Sequence, residues 1–346
     1  MKVKGLAALK PGGPLESYEF ERRAIGVKDV AFKITHAGIC HSDIHQVREE
    51  WGPALFPMVP GHEIVGLVTE VGSSVSKFKV GDRIGVGVFI DSCRECEPCK
   101  KGMQNYCDKG MTGTYNGYER DGKTIAFGGY STGFVINEDY AVTIPSNLDM
   151  AGVAPLLCAG ITLYSPIRHF KVGNGSKVAV MGLGGLGHMG VKFAHALGAE
   201  VTVLSHSERK REDALRMGAD EFFVIKSSED LKPLRRKFDL ILNTVSALID
   251  INPYLGTLKI DGTMVIIGLP DQPYKVGAGA LLEGRKSLTG SMIGGMPELQ
   301  EMLNFAGAHN IVSDVEVISA DYANTAYERT VASDVKYRFV IDAETF

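Results

Sequence analysis

Two cysteine arrangements in this 346-residue chain point to metal chemistry. The first is Cys40-His41-Ser42-Asp43, followed by Pro60-Gly61-His62-Glu63. A thiolate and an imidazole are borderline-soft donors that suit zinc. Two protein ligands do not complete a site, so a third donor has to come from elsewhere. Cys158, in Leu156-Leu157-Cys158-Ala159-Gly160, is the cysteine that remains once the four described next are used. Two thiolates and one imidazole leave the fourth tetrahedral position open, the mark of a catalytic zinc. Taken one residue at a time, a small buried Cys40 and a hydrogen-bonded core His62 are the commoner explanation. The rest of the chain shifts that balance.

The second arrangement is Cys93-Arg94-Glu95-Cys96-Glu97-Pro98-Cys99, closed by Cys107. Two-residue gaps let successive thiolates converge on one ion, and four cysteines fill a tetrahedral shell. Such a site has no open position and predicts a structural zinc that staples a lobe too polar to bury a core. Disulfides are the competing explanation, disfavoured for a chain of this size without a secretory leader. A nucleic-acid zinc module would need histidines, a basic excess and a recognition helix, none of which the sequence offers.

A third feature binds rather than reacts. The apolar run Lys177-Val178-Ala179-Val180-Met181 leads into Gly182-Leu183-Gly184-Gly185-Leu186-Gly187 and then a helical stretch from His188 to Leu197. A lone G-x-G-x-x-G is weak evidence, but between a strand and a helix it reads as a dinucleotide-binding turn. The glycines allow the tight turn, the approach of a pyrophosphate and close helix–strand packing, and the helix N-terminus supplies free amides. An NAD-preferring site places an acid about 20 residues further on, at the end of the second strand. Here Val201 to Leu204 ends in Ser205-His206-Ser207-Glu208-Arg209-Lys210. Ser205 and Ser207 offer hydroxyls to a 2′-phosphate and Arg209 or Lys210 offers charge, so NADP(H) is expected, with Glu208 turned to solvent.

These residues have to be positioned by two kinds of domain. Residues 1 to about 145 read as strands and turns, among them Val27–Ile34, Ile64–Gly72 and Val80–Ile84, punctuated by Gly and Pro. Beyond about 150, strands alternate with helices: after Lys177–Met181 come Val201–Leu204, Glu221–Val224, Asp239–Asn243, Thr263–Ile267 and Ser287–Gly290. That alternation predicts a doubly wound parallel sheet. A helix from Pro297 to Ala306 and a strand from Val335 to Ile341 follow, and the pattern alone leaves open which domain they join. A net charge of −4 disfavours nucleic acid as a partner. No apolar run reaches the roughly 20 residues of a membrane span, and a cytoplasmic location is expected.

In their order along the chain, these motifs resemble those of the zinc-dependent medium-chain alcohol dehydrogenases, most closely the cinnamyl-alcohol-dehydrogenase-like group. Ala154 to Thr162, Gly187-His188-Met189-Gly190 and Tyr337-Arg338-Phe339-Val340 strengthen the likeness, which covers essentially the whole chain. It implies an α/β two-domain protein: a GroES-like β-rich catalytic domain (1–157, with the zinc lobe at 93–107), a Rossmann NADP-binding domain (158–295) and a return to the catalytic domain (296–346). It further implies two zinc ions per protomer and a homodimer. The catalytic zinc falls on Cys40, His62 and Cys158 with Glu63 beside it, and Asp43 orients His62. Ser42 and His45 form the proton relay of a reversible aldehyde reduction, linked through the nicotinamide ribose. The cofactor set joins the glycine loop, Ser205, Ser207, Arg209 and Lys210 with His41, Thr162, Thr244, Gly268, Ser291, Met292, Ile293 and Arg338. Trp51, Tyr115 and Ile293 are the expected lining of an apolar substrate pocket. Ser42 stands where the plant members usually carry threonine, a change that keeps the hydroxyl. Met111 to Tyr115 lacks the tryptophan those enzymes place on the pocket, which counts against a phenylpropanoid substrate. The rival expectation is a non-catalytic zinc- and dinucleotide-binding sensor, disfavoured because ligands and relay are all present.

Overall fold

The computed structural model describes residues 1–346, which divide into two compact units, 1–161 with 294–346, and 162–293. The chain leaves the first unit inside helix Ala159–His169.

The first unit is built on a seven-stranded sheet. Its path runs Val142–Thr143, Arg83–Val86, Ile64–Val71, Asp29–Gly38, Arg338–Asp342 and Val315–Ile318, with Gly133–Asn137 also paired to Asp29–Gly38. Strand Asp29–Gly38 alternates only in part because both its faces are covered: Val30, Phe32, Ile34 and Ala37 are fully buried and Ala31 nearly so. It starts two residues later than its sequence pattern suggests, since Val27 is 65% exposed. Strand Arg338–Asp342 pairs antiparallel with it, Val340 opposite Gly38, so the C-terminal stretch returns to the first unit. The helix before it spans Met296–His309.

The second unit carries a six-stranded parallel sheet in the order Glu221–Val224, Glu200–Ser205, Lys177–Met181, Phe238–Asn243, Leu258–Ile266, Ser287–Gly290. Its central strands are apolar without alternation, Val178, Ala179, Val180, Ile241 and Leu242 being fully buried. A parallel sheet covered on both faces demands that composition. The first strand lies at the centre, where strand order reverses, and that reversal opens the crevice in which doubly wound sheets bind ligands. No single helix is long and apolar enough to cross a membrane.

Candidate active site and metal centres

Antiparallel pairing of Asp29–Gly38 with Ile64–Val71 sets Ala37 opposite Ile64. Cys40, just past the end of one strand, therefore meets His62 and Glu63, just before the start of the other. Cys158 arrives from the turn Ala154–Leu157 and precedes helix Ala159–His169. One ligand atom from each of Cys40, His62, Glu63 and Cys158 lies within 4.8 Å of the others, and all four residues are buried. His62 donates Nδ1 to Asp43 Oδ1 at 3.0 Å, while its Nε2 is buried and has no hydrogen-bond partner. A buried imidazole nitrogen left unpaired is costly. Aimed among two thiols, it fits a zinc ion, for which sulfur and imidazole are the ordinary donors.

The electrostatics suit the same conclusion. A hydrogen bond from the Cys158 thiol, aided by the charges of Arg338 and His62, drives Cys40 well below the ordinary thiol range against its burial. Cys158 is correspondingly raised by that bond and by burial. A divalent cation between the two sulfurs would favour both as thiolates. Burial lowers the basicity of His62, but the Asp43 carboxylate against Nδ1 outweighs it and holds the imidazole well above its usual pKa. Glu63 is pushed up to about 8 by burial, opposed by Arg338. Its Oε1 accepts from Arg338 Nη2 at 2.5 Å, and the same guanidinium bonds Ile39 O at 2.8 Å. Arg338 thus holds one oxygen of Glu63, while Oε2 is buried without a hydrogen-bond partner beside Cys40, His62 and Cys158, the three donors whose count matches a catalytic zinc site.

The second cluster brings the sulfurs of Cys93, Cys96, Cys99 and Cys107 within 4.8 Å of one another. None is in a disulfide. Backbone amides point into the sulfurs: Cys107 Sγ accepts from Cys93 N–H and Cys93 Sγ from Cys96 N–H, each at 3.4 Å. Amide donation, first from Glu95, lowers Cys93 to about 6, as thiolate ligation needs, whereas burial raises Cys99 to about 11. The lobe sits on the start of helix Met296–His309, where Gln104 Oε1 accepts from Met296 N–H at 3.0 Å. A Cβ at Gly295 would meet Gly102 O at 1.7 Å, so only glycine permits that approach.

Helix His41–Val47 starts at Cys40 and carries Ser42, Asp43 and His45. Ser42 Oγ lies 3.5 Å from Cys40 Sγ. The His45 ring stacks on the half-exposed Trp51 at 4.8 Å and holds Glu50 Oε2 through Nδ1. The exposed His41 ring is 5.5 Å from that of His45. Tyr115 is buried and stacked on His62 at 5.9 Å. Spacing gave no hint of Glu50 as the partner of His45. Nor did it show that Tyr130, in Gly128-Gly129-Tyr130-Ser131, would donate to Asp43 Oδ2 at 3.0 Å. Both contacts depend on chain geometry and not on a motif.

In the second unit, a Cβ at Gly187 would meet Gly182 O at 1.9 Å, whereas at Gly184 it would meet nothing within 4 Å. The turn is closed below and open above at its middle glycine, which fits a pyrophosphate. Thr244 Oγ1 donates to Met181 O at 2.7 Å beside it, and Gly268 packs on Val245 O. Lys210 Nζ reaches back to Leu183 O at 2.8 Å. Ser205 Oγ accepts from Ser207 N–H at 3.3 Å, and Ser207 caps the turn Glu208–Lys210 by accepting from Arg209 N–H. The Glu208 carboxylate is 62% exposed and paired with Arg211. Thr162 and Ile293 are buried, Ser291 N–H donates to Ile266 O at 3.2 Å, and Met292 is half-exposed.

A histidine–cysteine metal pocket in one unit and a dinucleotide-type sheet in the other define a zinc-dependent, nucleotide-dependent oxidoreductase. Residues 26–146 match the alcohol dehydrogenase GroES-like domain and residues 185–308 the zinc-binding dehydrogenase domain. The chain belongs to the zinc-dependent medium-chain alcohol dehydrogenase family, in its cinnamyl-alcohol-dehydrogenase-like group. It is 57% identical to NADP-dependent alcohol dehydrogenase C 1 of Mycolicibacterium smegmatis, over 98% of this chain and 97% of that protein. A solved cinnamyl alcohol dehydrogenase from Sorghum bicolor superposes with a TM-score of 0.96 at 46% identity, covering 99% of this chain and 98% of the other. The corresponding enzyme of Helicobacter pylori, solved with NADP(H), gives a TM-score of 0.93 at 40% identity over 99% of both chains.

Proposed function

We propose that this protein is a zinc- and NADP(H)-dependent aldehyde reductase, reversible as an alcohol dehydrogenase. The observation that carries this reading is the buried Cys40–His62–Cys158 cluster with His62 Nε2 unpartnered. When bound, the zinc supplies Lewis-acid polarisation of a carbonyl oxygen and the nicotinamide supplies hydride. Cys40, His62 and Cys158 hold the ion, with Asp43 fixing the imidazole. Ser42 gives up the hydroxyl proton. His45 resupplies it from the exposed side of the same helix, with Nδ1 held by Glu50 and Nε2 left for exchange. Trp51 and Tyr115 flank this path and favour aromatic or medium-length aliphatic aldehydes. A non-catalytic sensor would not need an intact relay.

Ser207 presents a hydroxyl at the end of the second strand, Ser205 beside it donates its own to Ser207 O, and Arg209 supplies charge to a 2′-phosphate. The one acid nearby, Glu208, is paired with Arg211 and directed to solvent. Catalytic efficiency is expected to favour NADPH strongly over NADH, and Ser205→Asp to erode that preference through like-charge repulsion. A wild type that turns over aldehydes equally well with NADH would overturn the cofactor assignment, and a wild type inactive toward a broad aldehyde panel would overturn the enzyme assignment.

The protein is further read as a cytoplasmic homodimer. Strand Ser287–Gly290 edges the parallel sheet with one side unpaired, and in the same unit Ile260, Leu269 and Leu282 are 60%, 63% and 79% exposed. An edge of this kind invites pairing with a second copy. Sedimentation should give twice the 37.3 kDa chain mass. A monomer at micromolar concentration would sink the dimer.

A further inference from the structure

Asp43 is fully buried and its carboxylate has four donors. Oδ1 accepts from His62 Nδ1 at 3.0 Å and Gly61 N–H at 3.1 Å, and Oδ2 from Cys40 N–H at 2.9 Å and Tyr130 O–H at 3.0 Å. The first three belong to a ligand or to the main chain. Tyr130, 87 residues away in sequence, is the donor that a substitution can delete on its own. We propose that Tyr130 is a positioning residue for the catalytic metal, setting the orientation and donor strength of His62 through the far oxygen of Asp43.

The surroundings of Tyr130 hold that hydroxyl in place. Its ring lies against Gly61, where a Cβ would come within 2.5 Å of it. Its backbone N–H donates to Pro60 O at 3.0 Å and its carbonyl accepts from Leu6 N–H at 2.9 Å. Arg22, its side chain stacked between Phe20 and Phe134, donates to Gly128 O at 2.6 Å, Ser131 Oγ at 3.0 Å and Gly133 O at 3.1 Å, and also to Phe127 O. A buried guanidinium thus directs its donors at the segment that presents Tyr130.

The chemistry follows from the carboxylate. A carboxylate bonded to Nδ1–H pulls the imidazole toward its anionic form and strengthens Nε2 as a donor. A hydroxyl on the opposite oxygen withdraws a little electron density from the carboxylate, an effect outweighed by its hold on orientation: it stops the carboxylate from rotating away from His62 and so keeps that pull in place. Without it, Oδ2 keeps only the Cys40 amide. Outer partners of a metal-bound histidine are typically worth about 10- to 100-fold in metal affinity or activity.

The inference rests on zinc being held by Cys40, His62 and Cys158. The test is stepwise chelator competition on wild type, Tyr130→Phe and Tyr327→Phe, together with the visible spectrum of each cobalt-substituted protein. Tyr327 is the matched control: its ring is 6.5 Å from that of Tyr130, and its buried hydroxyl has no hydrogen-bond partner. The four-cysteine site serves as an internal reference. Tyr130→Phe is expected to release the catalytic metal about 10- to 100-fold more readily, to shift its cobalt bands, and to leave the four-cysteine site unchanged. Tyr327→Phe should match wild type in all three. Wild-type release and spectrum in Tyr130→Phe, or an equal effect of Tyr327→Phe, would overturn the proposal. A wild type that binds a single metal would overturn the zinc reading beneath it, and this inference with it.

Discussion

A Cys158→Ser protein is expected to fold, to retain one zinc where the wild type holds two, and to lose aldehyde reduction by about a thousandfold or more. Lewis-acid polarisation of a carbonyl is worth several kcal/mol, and about 1.4 kcal/mol is tenfold in rate. Cys158 is buried, with its sulfur within 4.8 Å of that of Cys40. A serine oxygen there is neither soft nor readily deprotonated, so the site would keep Cys40 as its only thiolate beside His62, with Glu63 tied to Arg338 through Oε1. The fold should persist because helix Ala159–His169 and the strands that carry Cys40 and His62 are stabilised by their own apolar cores. Cys96→Ser should do the opposite, lowering the melting temperature or soluble yield through the lobe. Metal content, circular dichroism and turnover together decide the matter. Full activity in wild-type protein that carries only one zinc would refute the two-site assignment.

Ser42→Ala is expected to lower turnover by about 100- to 10,000-fold, the usual worth of a positioned proton donor, while cofactor affinity changes little. The hydroxyl sits on helix His41–Val47 beside Cys40. Ser42→Thr keeps the hydroxyl and should keep most of the activity. Turnover left intact in Ser42→Ala, under conditions where a solvent isotope effect shows proton transfer to be limiting, would remove Ser42 from the relay.

The chemistry of this chain was more legible than its assembly. The spacing Cys93, Cys96, Cys99, Cys107 is local, and short gaps constrain sulfurs to converge wherever the lobe lies. The strand–Gly182-to-Gly187–helix unit is local as well. By contrast, the strand Arg338–Asp342 has the same alternation whichever sheet it joins. Its partner, Asp29–Gly38, is some 300 residues away, and only long-range burial selects it. Cys158, the expected third ligand, could be inferred by elimination, but the Asp43 hub could not. Its donors come from a helix, a turn before a strand and a distant Gly-Gly-Tyr-Ser segment, and no periodicity links them. Helix and strand limits shifted by a few residues because ends are set by neighbours: Val27 reads as strand but has solvent on its side.

The contact between the four-cysteine lobe and Gly295 has an evolutionary consequence. Residues 102–104 and 295–297 touch so closely that neither segment can drift alone. A side chain at 295 would collide with Gly102 O, and Pro297 already lies against Gly102. A descendant that discarded the lobe would uncover the amide of Met296 and would have to redesign the entry to helix Met296–His309 in the same step. Loss of the lobe's cysteines and divergence of the Gly294-Gly295-Met296 turn should therefore be inherited together, with the turn free to accept larger residues only in lineages from which the lobe is gone.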